Sequence, residues 1–299
     1  MKNILSSCTL CPKNCKVNRL ENELGFCRSG KNIKLAKVSL HAFEEPCISG
    51  TNGSGTVFFS NCNLKCVFCQ NYNISQENLG KEISIERLSE IFIEQQNRGA
   101  HNINLVSPTQ YVPQIIEAIK LSKAKGLNIP ILYNSNGYEN VETIKSLKGY
   151  IDVYLPDLKY YKDKYAIKYS SAPNYFNYAK EAIKEMVSQV GEPKFSEDGL
   201  IKKGVIIRHL MLPSLLFDSK KVIDFIHNTF KDNVYISLMN QYTPMYNALN
   251  YPEINKALNK NHYDSLIDYC LSLGITKAFI QGDGTVSSKF TPDFDLLGV

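Results

Sequence analysis

Three observations predict an α/β chain in which six strand–helix units follow a small cysteine-rich N-terminal lobe. From Thr56 onward, short apolar runs alternate with helical stripes. Eight of the nine cysteines precede residue 70. The 299 residues, 43% hydrophobic and 21% charged, are enough for a full core without disulfide staples. The expected division is a metal-binding lobe over residues 1–50 and a barrel-like body over 51–299.

The lobe carries Cys8, Cys11, Cys15 and Cys27, with Gly25, Gly30 and few apolar runs besides a short strand, Leu35–Val38. A segment with so little to bury folds when a metal cross-links it. The Gly/Ser/Thr stretch Ser49–Gly55 leads into the first strand of the body, Thr56–Ser60. A helix begins after Ser84 as N-cap, with Leu88, Ile91 and Phe92 on one face. Ile103–Val106 is the second strand. Its helix has Pro113 in the first turn, the stripe Ile115, Ile116 and Ile119, and Gly126 as terminator. Ile129–Tyr133 is the third strand, followed by a short helix, Val141–Leu147. Ile151–Leu155 is the fourth, and its helix comes late, over Asn174–Val190. Val205–Ile207 then precedes Ser219–Phe230, and Val234–Leu238 precedes Tyr263–Leu273. Lys277–Ile280 adds a last short strand. Six such units favour a parallel sheet, as a barrel, an incomplete barrel or a doubly wound sheet. In each of these the chemistry collects beyond the C-terminal ends of the strands.

Composition removes several classes. Lys plus Arg number 34 against 29 acids, a scattered excess of +5 that suggests neither a nucleic-acid nor a membrane partner. No apolar run approaches the roughly 18 residues of a membrane span. The start, MKNILSSCTLCPKNC, has no apolar leader, so a cytoplasmic location is expected. An odd, front-loaded cysteine count in such a chain reads as metal ligation rather than disulfides.

Directly after the first strand of the body comes Cys62-x3-Cys66-x2-Cys69, on a polar loop at the C-terminal mouth. Structural zinc wants four protein ligands, and no fourth lies nearby. A cubane held by three thiolates leaves its fourth iron open to a further ligand. Cluster ligation therefore fits better than zinc or packing.

These three cysteines, with Phe68 before the last, resemble the signature of the radical S-adenosylmethionine (SAM) superfamily. FFSNCNLKCVFCQN is similar to the subfamily of pyruvate formate-lyase-activating enzymes, as are LVSPTQY, DVYLPDLKYY, IIRHLMLP and SLMNQYTP. The resemblance implies a partial (β/α)6 barrel and a [4Fe–4S] cluster that binds S-adenosyl-L-methionine. One electron then gives methionine and a 5′-deoxyadenosyl radical, which abstracts hydrogen from a substrate. It also implies a low-potential electron donor of the flavodoxin or ferredoxin kind. A protein glycine, as for a glycyl-radical activase, is one substrate; a small molecule or short peptide is another. An iron–sulfur electron carrier without catalysis and a zinc-stabilised binding scaffold are the alternatives from other classes.

The remaining strand ends supply cofactor-binding candidates. Phe68 is placed against the adenine, or in ordinary loop packing. Where many relatives carry Gly-Gly-Glu-Pro, this chain has Ser107-Pro108-Thr109, so the acidic residue is missing and Ser107 and Thr109 offer hydroxyls instead, or Thr109 caps the helix start before Tyr111–Pro113. Asn134 and Asn136 precede Gly137, resembling the Asn-Gly element of the activating enzymes; alone, Asn-Gly is a turn. Asp157 and Lys159 match that subfamily's Asp-Leu-Lys and form an ion pair or bind ligand groups separately. Arg208, one of five arginines, suits a carboxylate, and His209 beside it contacts the cofactor or satisfies a core hydrogen bond. Glu44 and Glu45 precede the body, where solvated acids are the commoner outcome. Cys8, Cys11, Cys15 and Cys27 make a complete four-thiolate set for zinc or for a second [4Fe–4S] cluster. Cys47 and Cys270 need no special role.

Overall fold

The computed structural model describes residues 4–282 and 292–299. Its strands are β1 (Ile33–His41), β2 (Ser54–Phe59), β3 (Lys81–Ile83), β4 (Ile103–Val106) and β5 (Ile131–Ser135). They continue as β6 (Val153–Pro156), β7 (Lys194–Phe195), β8 (Ile201–Leu210), β9 (Tyr235–Met239) and β10 (Ala278–Ile280). The order across the sheet is β10-β9-β8-β6-β5-β4-β2-β1-β3, with β7 paired to β8. Pairing is parallel from β2 through β10, and antiparallel at β1–β2, β1–β3 and β7–β8. The two ends of that path, β10 and β3, do not pair among the described residues. This is the expected partial barrel, with the cysteine-rich segment ahead of it. No helix among the described residues is long and apolar enough to cross a membrane.

Differences from the sequence reading have local causes. The third parallel strand begins at Ile131 rather than Ile129, because Pro130 has no N–H for the ladder and only accepts, from Ile103 N at 2.9 Å. β1 runs to nine residues because both of its edges are paired, and so residues 33–41 of the front segment join the main sheet. An extra helix, Asp163–Ser170, precedes Tyr175–Val190; Ser171, left-handed at φ 52°, separates the two. The short β3 and β7 carry too few residues for a legible pattern.

Alternation along the parallel strands divides the core. Tyr133 and Tyr154 point outward to the helices, in the main hydrophobic cluster. Leu132, Val153, Leu155 and Ile206 form a separate cluster with Cys47 and Ile48, on the inner face. Two residues further along the same face lie Asn134 after Leu132, Asp157 after Leu155 and Arg208 after Ile206. An apolar layer therefore underlies a polar one at the C-terminal mouth.

Candidate active site at the mouth of the barrel

A cavity of about 270 Å³ opens at that mouth, lined by the ends of all six longer parallel strands. Cys62, Cys66 and Cys69 share it with Ser107, Asn134, Asn136, Asp157, Lys159 and Arg208. The cysteine loop starts where Asn61, left-handed at φ 74°, turns the chain off β2. It is pinned by Lys65 N to Ser170 O (3.0 Å) and Val67 N to Tyr169 O (2.9 Å), both at the end of the unpredicted helix. Each thiol has a polar neighbour. Asn136 Nδ2 donates to Cys62 Sγ at 3.3 Å, Ser170 Oγ lies 3.1 Å from Cys66 Sγ, and Ser75 Oγ lies 3.3 Å from Cys69 Sγ. Burial pushes the Cys62 and Cys66 thiols up to about 11 and raises Cys69 as well. Bound iron would reverse this, since thiolates are the ligating form and their protons leave on binding. Among the described residues no three Cys, His, Asp or Glu side chains converge on a point that one metal ion would fill. Cubane thiolates each bind a different iron and need no such convergence, so this donor set fits a cluster with an open iron.

Ser107 ends β4 with φ 57°, its amide donating to Asn134 O at 2.9 Å. Gln110 Nε2 binds the carbonyls of Ser60, Asn61 and Ser107 at 2.8–3.1 Å, holding the β2 and β4 turns together. Thr109 is buried and turned away from the cavity: its hydroxyl donates to Glu139 Oε1 at 2.6 Å. Glu139 is wholly buried and its Oε2 has no partner; burial raises its pKa to about 7.

Asp157 and Lys159, two residues apart on the segment after β6, are ion-paired at the mouth. Tyr175 Oη lies 2.9 Å from both Asn136 O and Asp157 O, which share its one proton, and accepts from Lys159 N at 3.0 Å, so one buried tyrosine fixes both loops. Arg208 does not present a free fork. Its Nε donates to Glu45 Oε1 at 2.9 Å, and Nη2 contacts both Glu44 and Glu45. Burial works against its charge, but the two carboxylates outweigh burial and keep it ionised. His209 is buried, with Nδ1 2.7 Å from Leu158 O, and burial lowers its pKa to about 4. Neither His209 nor Phe68 lines the cavity, and Phe68 packs edge-on against Tyr242, ring centroids 5.9 Å apart.

Gln110, Glu139, Ser170, Ser75 and Tyr175 escaped the sequence reading. Each acts through one hydroxyl, amide or carboxylate on a loop or helix end, and no spacing marks it.

At the front of the chain, Cys8, Cys11, Cys15 and Cys27 line one small enclosed space. Phe26 N donates to Cys15 Sγ at 3.3 Å, and burial pushes Cys11 up to about 12. The lobe is stitched to the mouth by Arg19 Nη1 to Gln110 O (2.7 Å), Asn140 Nδ2 to Thr9 O (2.8 Å) and Thr143 Oγ1 to Leu10 O (2.6 Å). Cys47 and Cys270 are buried among apolar side chains.

The family model described as the Radical SAM superfamily matches residues 56–196. The uncharacterized protein MJ0674 of Methanocaldococcus jannaschii is 35% identical over 278 residues, 89% of this chain and 75% of that protein. Among solved structures, Streptococcus suis SuiB bound to S-adenosylmethionine superposes with a TM-score of 0.51 at 16% identity, over 75% of this chain and 49% of SuiB. The FeFe-hydrogenase maturase HydG from Carboxydothermus hydrogenoformans gives 0.51 at 15% identity, over 74% of this chain and 50% of HydG. The chain thus spans about half the length of these two structures, and they share its fold.

Proposed function

The chain belongs to the radical SAM superfamily, and from that premise we propose that Cys62, Cys66 and Cys69 hold the cluster and that the mouth cavity is where a substrate hydrogen is abstracted. Membership makes it an enzyme whose cofactors are a [4Fe–4S] cluster and S-adenosylmethionine. When bound, the cluster supplies the electron that cleaves S-adenosylmethionine into methionine and a 5′-deoxyadenosyl radical.

The supporting observation is that three thiols and the polar ends of six strands border one cavity. Asn136 donates to Cys62 and thereby stabilises a thiolate there. Ser107, Asn134, Asp157 and Lys159 offer donors and acceptors for the ammonium, carboxylate and ribose groups of the cofactor. Tyr175 and Gln110 hold these loops in register. The inner apolar layer beneath excludes water from a reactive radical. The front cysteines, which border one small space in the lobe, are the second ligand set in this reading, for zinc or a second [4Fe–4S] cluster that does no hydrogen chemistry itself. The electron comes from a low-potential flavodoxin- or ferredoxin-like donor.

The substrate reading supported by the resemblance is a protein glycine, as for a glycyl-radical activase. A small molecule or short peptide is the second reading, favoured by a cavity of about 500 Å³ next to the mouth. The deciding experiment is anaerobic loading with iron and sulfide, then dithionite and S-adenosylmethionine, with 5′-deoxyadenosine as the product measured. Cys62→Ala, Cys66→Ala and Cys69→Ala are each expected to abolish it. Undiminished product from any of the three would refute the assignment.

A further inference from the structure

The two cysteine sets are close neighbours. A single hydrogen bond, Asn61 Nδ2 to Arg28 O at 3.4 Å, joins the residue before Cys62 to the residue after Cys27. Phe26, next to Cys27, carries two cations on its ring: Lys13 Nζ lies 3.7 Å from the centroid and Lys65 Nζ 5.5 Å. Burial lowers the pKa of both lysines, and the opposing pull comes from both cysteine sets. It comes from Cys11, Cys15 and Cys62 on Lys13, and from Cys62, Cys27 and Cys69 on Lys65.

The front set is built for a cubane rather than a single ion. Zinc would gather four sulfurs around one point, but among the described residues no three of these thiols converge on one. Cys8, Cys11, Cys15 and Cys27 instead border one small space together, and a cubane takes each thiolate on a different iron. Charge points the same way. Arg19 is 1% exposed and lines this space, yet its N–H groups go to neutral carbonyls, Nε and Nη2 to Gly30 O and Nη1 to Gln110 O. Among the described residues no carboxylate lies within ion-pair distance of Arg19, Lys13 or Lys65. A buried charge without a counter-ion is costly, and a cubane on four thiolates supplies the missing anion. Zinc takes up no electron. A cubane beside three cations that lack an acid is favoured in its reduced form, because nearby positive charge raises its potential.

We propose that Cys8, Cys11, Cys15 and Cys27 ligate a second [4Fe–4S] cluster, and that the lobe is the electron's way in to the mouth. The proposal rests on the reading of the mouth given above. The front cluster takes one electron from the low-potential donor and hands it on past Arg28 and Asn61 to the cluster at Cys62. It returns to its oxidised state, and no bond forms or breaks.

The test uses the full chain loaded anaerobically with iron and sulfide. Wild type is expected to hold about eight irons per chain and no zinc, and Cys8→Ala/Cys11→Ala about four irons. After dithionite reduction, electron paramagnetic resonance is expected to show two coupled spins in wild type and one uncoupled cluster in the double variant. Reduction of the mouth cluster, trapped by rapid freezing, is expected to slow severalfold in that variant. About four irons with one zinc in wild type overturns the second cluster. A full iron load without spin coupling overturns the passage of the electron, as does an unchanged rate. Iron count and spin coupling are read on wild type, so they stand even if circular dichroism shows the double variant to be misfolded. Cys62→Ala/Cys66→Ala/Cys69→Ala reports separately on the mouth, and is expected to keep about four irons and an uncoupled signal. Full iron retention there would sink the mouth assignment and leave the front one.

Discussion

The side-chain nitrogen of Asn136 lies 3.3 Å from Cys62 Sγ and 2.7 Å from Asn63 Oδ1. An N–H aimed at a ligating sulfur withdraws charge from it and raises the cluster's reduction potential. Asn136→Ala removes that donor, together with the Oδ1 that accepts from Tyr138 N at 2.9 Å, so circular dichroism first confirms that the variant folds. The potential of the loaded protein is expected to fall by roughly 40–60 mV, the equivalent of one hydrogen bond of about 1–1.5 kcal/mol. Potentiometric titration followed by electron paramagnetic resonance measures this. An unchanged potential would mean that the amide serves Asn63 alone.

Gly137 has φ +77°, and a Cβ placed on it would lie 2.2 Å from Asp157 O. Its neighbour Tyr138 is held by Asn136, whose Oδ1 accepts from Tyr138 N at 2.9 Å. Gly137→Ala therefore forces the Asn136 and Asp157 loops apart as well as straining the backbone. A loss of roughly 3 kcal/mol is expected from the two effects together. Denaturant unfolding checks the stability, and S-adenosylmethionine binding should weaken in parallel. Full stability and affinity in the variant would show that the two loops can part freely.

What the sequence made legible follows from pattern. Parallel strands buried on both faces read as apolar runs, so Ile103–Val106 was placed to the residue. Ser84 caps its helix as its position suggests, accepting from Arg87 N at 3.1 Å. The cysteine motif, and the polar residues one step beyond each strand, led directly to the lining of the mouth. Side-chain direction was not legible. Arg208 and His209 are adjacent, yet alternation sends one into the barrel and the other into a buried outer contact. The sequence offers the Thr109 hydroxyl to the cofactor or to a helix start, but it is spent on Glu139, thirty residues away. Glu44 and Glu45 read as solvated acids because their partner, Arg208, comes more than 160 residues later.

At Gly25 an added Cβ would stand 2.8 Å from Cys15 Cβ and 2.9 Å from Cys15 Sγ. The glycine is thus the reason this thiol can turn toward Cys8, Cys11 and Cys27. On the proposed assignments, Gly25→Ala is expected to cost the protein a metal held by the front cysteines while iron bound by Cys62, Cys66 and Cys69 stays. Elemental analysis reads both at once. Loss of zinc with iron constant identifies a zinc site; a drop of about four irons identifies a second cluster. Loss of nothing would show that Cys15 is not a ligand.

Glu139 gives the stability a pH dependence whose sign is unusual for a carboxylate. Burial raises its pKa from 4.5 to about 7, partly offset by the hydrogen bonds from Thr109, Ser135 and Tyr133. The folded chain therefore holds this proton more tightly than the unfolded chain does. Between pH 4.5 and 7 the native state binds more protons, so stability falls as pH rises, and above about 7 the loss is complete. The shift corresponds to about 3 kcal/mol. Glu139→Gln keeps an acceptor for the Thr109 hydroxyl and removes the ionisation. Its nitrogen takes the place of an Oε2 that already lacks a partner, so near pH 5 the variant should match the wild type. By pH 8 it should be more stable by up to about 3 kcal/mol, because only the wild type must bury a charge. Urea unfolding midpoints at pH 5, 6, 7 and 8 give the two curves. A constant offset between them would show that the carboxyl does not titrate within the fold, and a variant weaker at pH 8 would show that the ionised form is held by a compensating donor.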